Sequence, residues 1–218
     1  MNMSQIISIN HSQPEPLLIH EIVQAIRDGK VVAYPTETFY GFGVDVSQET
    51  AIKRLFDLKR RDYGNPIAVI VADQEMLYTV VHDVPETAKT LMEIFWPGPL
   101  TILFQTTDKI SRQLTTNTGK IGIRVSSDPI AASIVKEMGR PLTTTSANLS
   151  GHPPSFSAQD VIHYFGDKID YIVDVGELPP SLGSTVVDVS EEKIVLIREG
   201  VLKAESIFKH FGKDYSTT

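Results

Sequence analysis

The sequence predicts an α/β domain built on a twisted, mixed β-sheet flanked by helices. Three observations carry that expectation. Apolar residues alternate along the chain between helical spacing and short strand-like runs. Several strand-like runs follow one another with no helix between them, so a strict Rossmann order is not implied. The 218 residues suffice for one generous domain with a real core.

In order, Leu18, Ile19, Ile22, Val23 and Ile26 recur at helical spacing and lead into a strand over 31–34. Ala51, Ile52, Leu55, Phe56 and Leu58 outline a second amphipathic helix, and 67–71 reads as a buried strand. Residues 85–95 read as helix until Trp96-Pro97-Gly98-Pro99 stops it. Strands follow over 100–104 and 121–125. Pro129 then opens a helix that closes near Met138-Gly139, the N-terminal proline and C-terminal glycine asymmetry. Further strands are expected over 142–145, 171–175, 184–189 and 194–198. No internal repeat or low-complexity linker divides the chain, so 1–218 is expected as one domain with its core over about 15–205 and a frayed tail after Phe211.

Composition narrows the function classes. Cysteine is absent, which excludes disulfides, thiol catalysis and Cys-ligated zinc and fits a cytoplasmic protein. The six histidines form neither an H-x-H nor an H-E-x-x-H pair, so no metal site is expected. The longest apolar run, 67–72, is too short to span a bilayer, and no secretory signal is visible. A net charge of −7 argues against generic nucleic-acid binding while leaving room for a local basic cleft.

Five polar clusters remain as candidate chemistry. The first is Pro35-Thr36-Glu37-Thr38-Phe39-Tyr40-Gly41-Phe42-Gly43, which ends the first strand with two hydroxyls, a carboxylate and a phenol. The ends of strands in open α/β sheets are where ligands bind. Lys59-Arg60-Arg61, followed by Asn65-Pro66, either complements a helix dipole or reaches a polyanion. Residues 143–151, which include Ser146 and Asn148, carry short hydroxyls and amides suited to a small polar ligand or to turn building. Gly183-Ser184-Thr185 enters a strand, with glycine allowing close backbone approach. Arg124 and Arg198 each end an apolar strand, where an arginine pairs with an internal carboxylate or forks a ligand carboxylate or phosphate. P-loop and dinucleotide fingerprints fail, since Leu114 and Val46 stand where glycines belong. Hydroxyls, amides and cations without a Ser-His-Asp set favour electrostatic catalysis of phosphoryl or nucleotidyl transfer.

Taken together and in order, these clusters resemble the YrdC/Sua5/YciO family. Its P-T-[DE]-T-x-Y-G-[LF]-G run, K-x-R motif, S-x-N motif and S-T-[VI]-[VI]-D segment read here as 35–43, Lys59-Arg60-Arg61, Ser146-Ala147-Asn148 and 184–188. The resemblance runs from about Ile22 to Val201. It implies a twisted mixed sheet around a large concave cavity, in a short form without the C-terminal Sua5 domain. It further implies L-threonylcarbamoyladenylate synthase activity on L-threonine, bicarbonate and ATP, with Mg²⁺ accompanying ATP. Downstream transferase proteins, and contact with tRNA or other double-stranded RNA, belong to the same implication; a membrane partner does not.

By this resemblance Thr38, Arg124 and Ser184 hold threonine, and Lys59 and Arg61 neutralise the phosphates and the carbamate. Asn65, Ser146, Asn148 and Arg198 then bind the nucleotide. The chain departs from many members at Asp62, Ile67, Ile70 and Phe156; Ile70 stands where they have histidine. Its 120–124 segment and its Arg198-Glu199-Gly200-Val201 ending are closer to the YciO branch. The alternatives are a non-catalytic RNA- or ribosome-binding relative of that branch, or a carbamoyl-adenylate enzyme with another acceptor.

Overall fold

The computed structural model describes residues 4–116, 118–190, 194–211 and 215–217. Its elements in chain order are β1 (Gln5–Ser8), α1 (Pro16–Arg27), β2 (Val32–Tyr34), β3 (Gly41–Gly43), α2 (Glu49–Lys59), β4 (Val69–Ile70), α3 (Gln74–Val80) and α4 (Glu86–Phe95). They continue as β5 (Leu100–Gln105), α5 (Arg112–Thr115), β6 (Lys120–Arg124), α6 (Pro129–Met138), β7 (Leu142–Thr143), β8 (Thr145–Ser146) and α7 (Ala158–Phe165). The last are β9 (Tyr171–Asp174), β10 (Thr185–Asp188), β11 (Ile194–Arg198), α8 (Ala204–Phe208) and β12 (Tyr215–Thr217).

The α/β class and the mixed strand directions are as the sequence predicts, and the strands divide between two sheets. One has the order β1-β9-β2-β3-β8 and the other β12-β11-β10-β5-β6-β4-β7. The expected single strand over 142–145 breaks at Thr144. β7 pairs antiparallel with β4 in one sheet, and β8 pairs antiparallel with β3 in the other. At the break the Thr144 N–H donates to the Ala68 carbonyl at 2.7 Å. One residue, Thr144, therefore carries the chain from sheet to sheet, and the polar cluster 143–151 begins at that crossing.

Local chemistry explains the helices that place the sheets. α1 starts with Pro16 and buries Ile19, Ile22, Val23 and Ile26 on one face. α6 is opened by the Asp128 carboxylate, which accepts from the Ile130 and Ala131 N–H groups, and closed by Gly139 at φ +68°. Such a cap contributes on the order of 1 kcal/mol. The apolar faces of α1 and α6 share a cluster with Val32, Tyr34 and Ile70. A second, larger cluster joins α2, α4 and α7 to both sheets.

Several elements lack a strong pattern of their own. β3 is only Gly-Phe-Gly and lies inside the polar run, so it reads from sequence as a turn. Its pairing with β2, Ala33 opposite Phe42, makes a hairpin of that run. β1 is tied down by a distant partner, lying parallel to β9, while α7 is started locally by a reciprocal Ser157/Asp160 cap. The fraying expected after Phe211 falls partly outside the described residues; within it, Tyr215–Thr217 runs parallel to β11 as an edge strand. Among the described residues no helix is long and apolar enough to cross a membrane.

Candidate active site

Period-two alternation along three adjacent strands builds one wall of a cavity of about 360 Å³ between the sheets. In β6, Ile121 and Ile123 enter the core while Gly122 and Arg124 line the cavity. In β5, Ile102 and Phe104 are core residues and Thr101 and Leu103 face the cavity. Register carries the same face across the sheet, with Leu103 opposite Gly122 and Val186 opposite both Thr101 and Arg198. The facing wall brings Thr36, Phe39 and Gly41 from the β2–β3 hairpin and Thr145 and Ser146 from β8. A Cβ at Gly122 would lie 2.7 Å from Thr101 Cγ2, so this glycine leaves the floor open.

Three guanidinium groups, those of Arg61, Arg124 and Arg198, stand on the lining, and among the described residues no carboxylate joins them there. Arg61 lies just beyond the left-handed residue Arg60 that ends α2. Its Nε donates to the Asn65 carbonyl at 3.0 Å and its Nη2 to the Pro66 carbonyl at 2.8 Å. Arg198 closes β11, its Nη2 donating to the Ser184 carbonyl at 2.8 Å. Burial lowers the pKa of both Arg61 and Arg198, and the charge of Arg124 adds to the effect on Arg198. Arginine remains charged under any physiological condition, so the shifts record crowding of positive charge rather than neutralisation. A cavity of this kind attracts anions with planar or tetrahedral oxygens.

Ser184 has a defined hydrogen-bond polarity. Its Oγ accepts from Thr101 Oγ1 at 2.9 Å and from Arg198 Nη2 at 3.2 Å. With both lone pairs engaged, its own proton is left to be donated to a ligand oxygen. Arg124 is 5% exposed, its Nη2 donates to Thr144 Oγ1 at 3.3 Å, and its Nε lies 3.0 Å from Glu37 Oε1.

The structure brings Arg61, Arg124, Ser146, Ser184 and Arg198 together on the cavity wall. Thr38, Lys59, Asn65 and Asn148 are not among the lining side chains. Thr38 is buried behind Thr36, with the two hydroxyls 3.1 Å apart, and Thr36 is the threonine of the run that reaches the wall. Asn65 is exposed on the α2–β4 loop, where its carbonyl serves Arg61.

Lys59 is 1% exposed. Its Nζ donates to the Ser146 carbonyl, to the Asn148 carbonyl at 2.8 Å and to Asn148 Oδ1 at 3.1 Å. The Asn148 side chain is held at both ends, because Oδ1 also accepts from Ser146 Oγ at 2.6 Å and Nδ2 donates to the His152 carbonyl. The lysine of the K-x-R motif thus holds the S-x-N turn from behind. Burial, reinforced by the charge of Arg61, pushes its ammonium down to about 7. Ile70 sits on the sheet face of Ala68, yet it is fully buried in the cluster of Tyr34 and Leu142 and fills space beyond the cavity. Phe156 packs against the larger core cluster, and its N–H binds the Asp160 carboxylate at 2.8 Å.

Sequence reasoning gave no role to Glu37, Thr101 or Gly122. Glu37 was visible as the one carboxylate in the polar run. Thr101 and Gly122 carry a weaker signal, as the small residues alternating with large apolar ones on central strands.

Residues 24–200 match the Sua5/YciO/YrdC family, described as Telomere recombination. The threonylcarbamoyl-AMP synthase of Pyrococcus abyssi is 39% identical over 188 residues, covering 86% of this chain and 55% of that protein. The crystal structure of P. abyssi Sua5 complexed with L-threonine superposes with a TM-score of 0.94 at 36% identity, over 99% of this chain and 63% of that one. The structure of E. coli YciO superposes with a TM-score of 0.86 at 28% identity, over 94% of this chain and 100% of its own. The chain thus spans little more than half the length of the P. abyssi synthase. The four ordered motifs, the two-sheet cavity and these matches agree: the chain belongs to the Sua5/YciO/YrdC family.

Proposed function

We propose that the chain is an L-threonylcarbamoyladenylate synthase, joining L-threonine, bicarbonate and ATP into threonylcarbamoyl-AMP and releasing pyrophosphate. The observation that carries this reading is the wall of three guanidiniums, joined there by no carboxylate among the described residues. The relatives' names and the threonine-bound P. abyssi structure support it.

In the proposed reaction the threonine nitrogen bonds to the bicarbonate carbon and water leaves, giving a carbamate. A carbamate oxygen then attacks the α-phosphorus of ATP, the bond from that phosphorus to the bridging oxygen breaks, and pyrophosphate departs. Both reactants are anionic, so the main barrier contribution available to the protein is charge stabilisation. Arg124 takes the threonine carboxylate and Ser184 donates its proton to an oxygen at the threonine–phosphate junction. Arg61 and Arg198 balance charge on the carbamate and phosphates. Lys59 and Asn148 act from behind, fixing Ser146 on the wall.

Mg²⁺ enters with ATP as part of the substrate. An ion of this kind is held mostly by phosphates and water. The product is a mixed anhydride suited to acyl transfer, here onto adenosine 37 of tRNA by partner transferases.

The test is incubation with MgATP, L-threonine and heavy-carbon bicarbonate, followed by mass analysis. The expected product contains AMP, threonine and the label. An unlabelled product, or labelled product formed equally without threonine, contradicts the reading. A carbamoyl adenylate formed from carbamoyl phosphate would instead favour a different acceptor.

A further inference from the structure

Glu37 is a largely buried carboxylate that none of the roles above uses. It lies in the β2–β3 hairpin of the five-stranded sheet, while its partners Arg124 and Ser126 belong to β6 and the segment after it in the seven-stranded sheet. Glu37 Oε1 is 3.0 Å from Arg124 Nε, and Oε2 accepts from Ser126 Oγ. The side chains of Glu37 and Arg124 are 11% and 6% exposed. Ser126 is itself fixed, since its Oγ accepts from the Asp128 N–H at 3.2 Å, and Asp128 caps α6.

This arrangement assigns the ends of one guanidinium. Nε stands 3.0 Å from Glu37 Oε1 as an ion pair outside hydrogen-bond alignment, and Nη2 donates to Thr144 Oγ1 at 3.3 Å. Among the described residues no acceptor meets Nη1, and Arg124 lines the cavity. A guanidinium binds a carboxylate through a fixed fork of parallel N–H groups, so its rotation about the side-chain axis decides whether a ligand is met edge-on. Glu37 places a negative charge on the Nε side of that fork without itself standing on the lining.

We propose that Glu37 is a positioning residue: it orients the Arg124 guanidinium so that its outer edge receives the carboxylate of the amino-acid substrate. The assignment rests on the synthase reading for the identity of that substrate. Glu37 touches no substrate and acts through Arg124 alone. Its effect therefore falls on the amino acid and not on the nucleotide, whose phosphates meet Arg61 and Arg198.

The experiment compares wild type with E37Q, which keeps the shape and removes the charge, in L-threonine titration calorimetry and in steady-state kinetics. E37Q is expected to weaken L-threonine binding at least tenfold and raise its KM similarly, with the KM for ATP within twofold of wild type. S126A, which removes only the anchor of Oε2, is expected to give a smaller change in the same direction and keeps the test open if E37Q does not fold. Unchanged threonine binding in folded E37Q overturns the assignment, as does unchanged binding in S126A where E37Q does not fold. So does an equal rise in both KM values, which marks a merely structural ion pair. Absence of threonine binding by the wild type overturns the synthase reading together with this one. Wild-type binding that E37Q leaves intact overturns this one alone.

Discussion

Arg198 and Ser184 form a closed pair at the mouth of β10. The guanidinium Nε and Nη2 both donate to the Ser184 carbonyl, at 3.3 and 2.8 Å, and Nη2 also reaches the Ser184 hydroxyl at 3.2 Å. The pair links the charge that would meet a phosphate to the hydroxyl that would donate beside it. R198K keeps the charge but cannot make the same fork. It is expected to raise the KM for ATP about tenfold, roughly 1.4 kcal/mol of binding, and R198A more. S184A is expected to lower kcat while leaving the KM for ATP near that of wild type. Steady-state kinetics of the three variants checks this, and equal effects of R198K and wild-type arginine would dissolve the pairing.

Arg61 reaches the cavity from a loop and supports no core packing. R61A is expected to lower turnover at least a hundredfold, about 2.7 kcal/mol of transition-state stabilisation. Its melting temperature should stay within about 2 °C of wild type, since substitutions away from the core typically change stability by under 0.5 kcal/mol. Turnover within threefold of wild type removes Arg61 from its proposed role.

Lys59 gives a pH prediction with a definite sign. In the unfolded chain a lysine titrates near 10.4, whereas in the fold burial and Arg61 hold the group down at about 7. Between these values the unfolded chain binds more protons, so this group makes stability rise with pH from about 7 to about 10. Below about 7 its penalty is fully present. Urea unfolding of wild type and K59M across that range measures the contribution: the wild-type curve should climb relative to that of K59M. Parallel curves would show that Lys59 keeps an ordinary pKa.

Gly200 lets the chain after β11 cross the backbone at Gly183 and Ser184. A Cβ there would stand 2.3 Å from the Gly183 carbonyl oxygen and 2.7 Å from Ser184 C and O. These are backbone atoms, so G200A forces the strand entrance to move. Overpacking of this kind costs roughly 1–3 kcal/mol, which corresponds to a fall of about 2–4 °C in melting temperature per kcal/mol. The displacement also shifts Ser184, so turnover should fall with stability. A G200A variant as stable and active as wild type would contradict the close crossing.

Much of the fold is legible in the sequence where periodicity is strong. α1, α2, α4 and α6 lie within two residues of the expected helices because each buries one apolar stripe, and Pro129 and Gly139 mark the ends of α6. The division into two sheets is not legible, because β7 and β8 are two residues each and their separation at Thr144 depends on partners distant in sequence. Arg124 and Arg198 are legible for a physical reason: a charge closing an apolar strand must find a partner or a ligand. Depth is less legible. Thr36 and Thr38 stand two residues apart in one turn, and only the hairpin geometry puts Thr36 on the wall and leaves Thr38 off it. Lys59 reads as a cation free to reach outward, while the carbonyls of Ser146 and Asn148 hold it inward.

The central claim is that one cationic cavity couples threonine to the opening of ATP. Pyrophosphate release from MgATP, measured with L-threonine and bicarbonate each present or omitted, tests it most directly. Release that requires both, and that disappears in R124A, is the expected result. Release indifferent to threonine, or none with all substrates present, would contradict it.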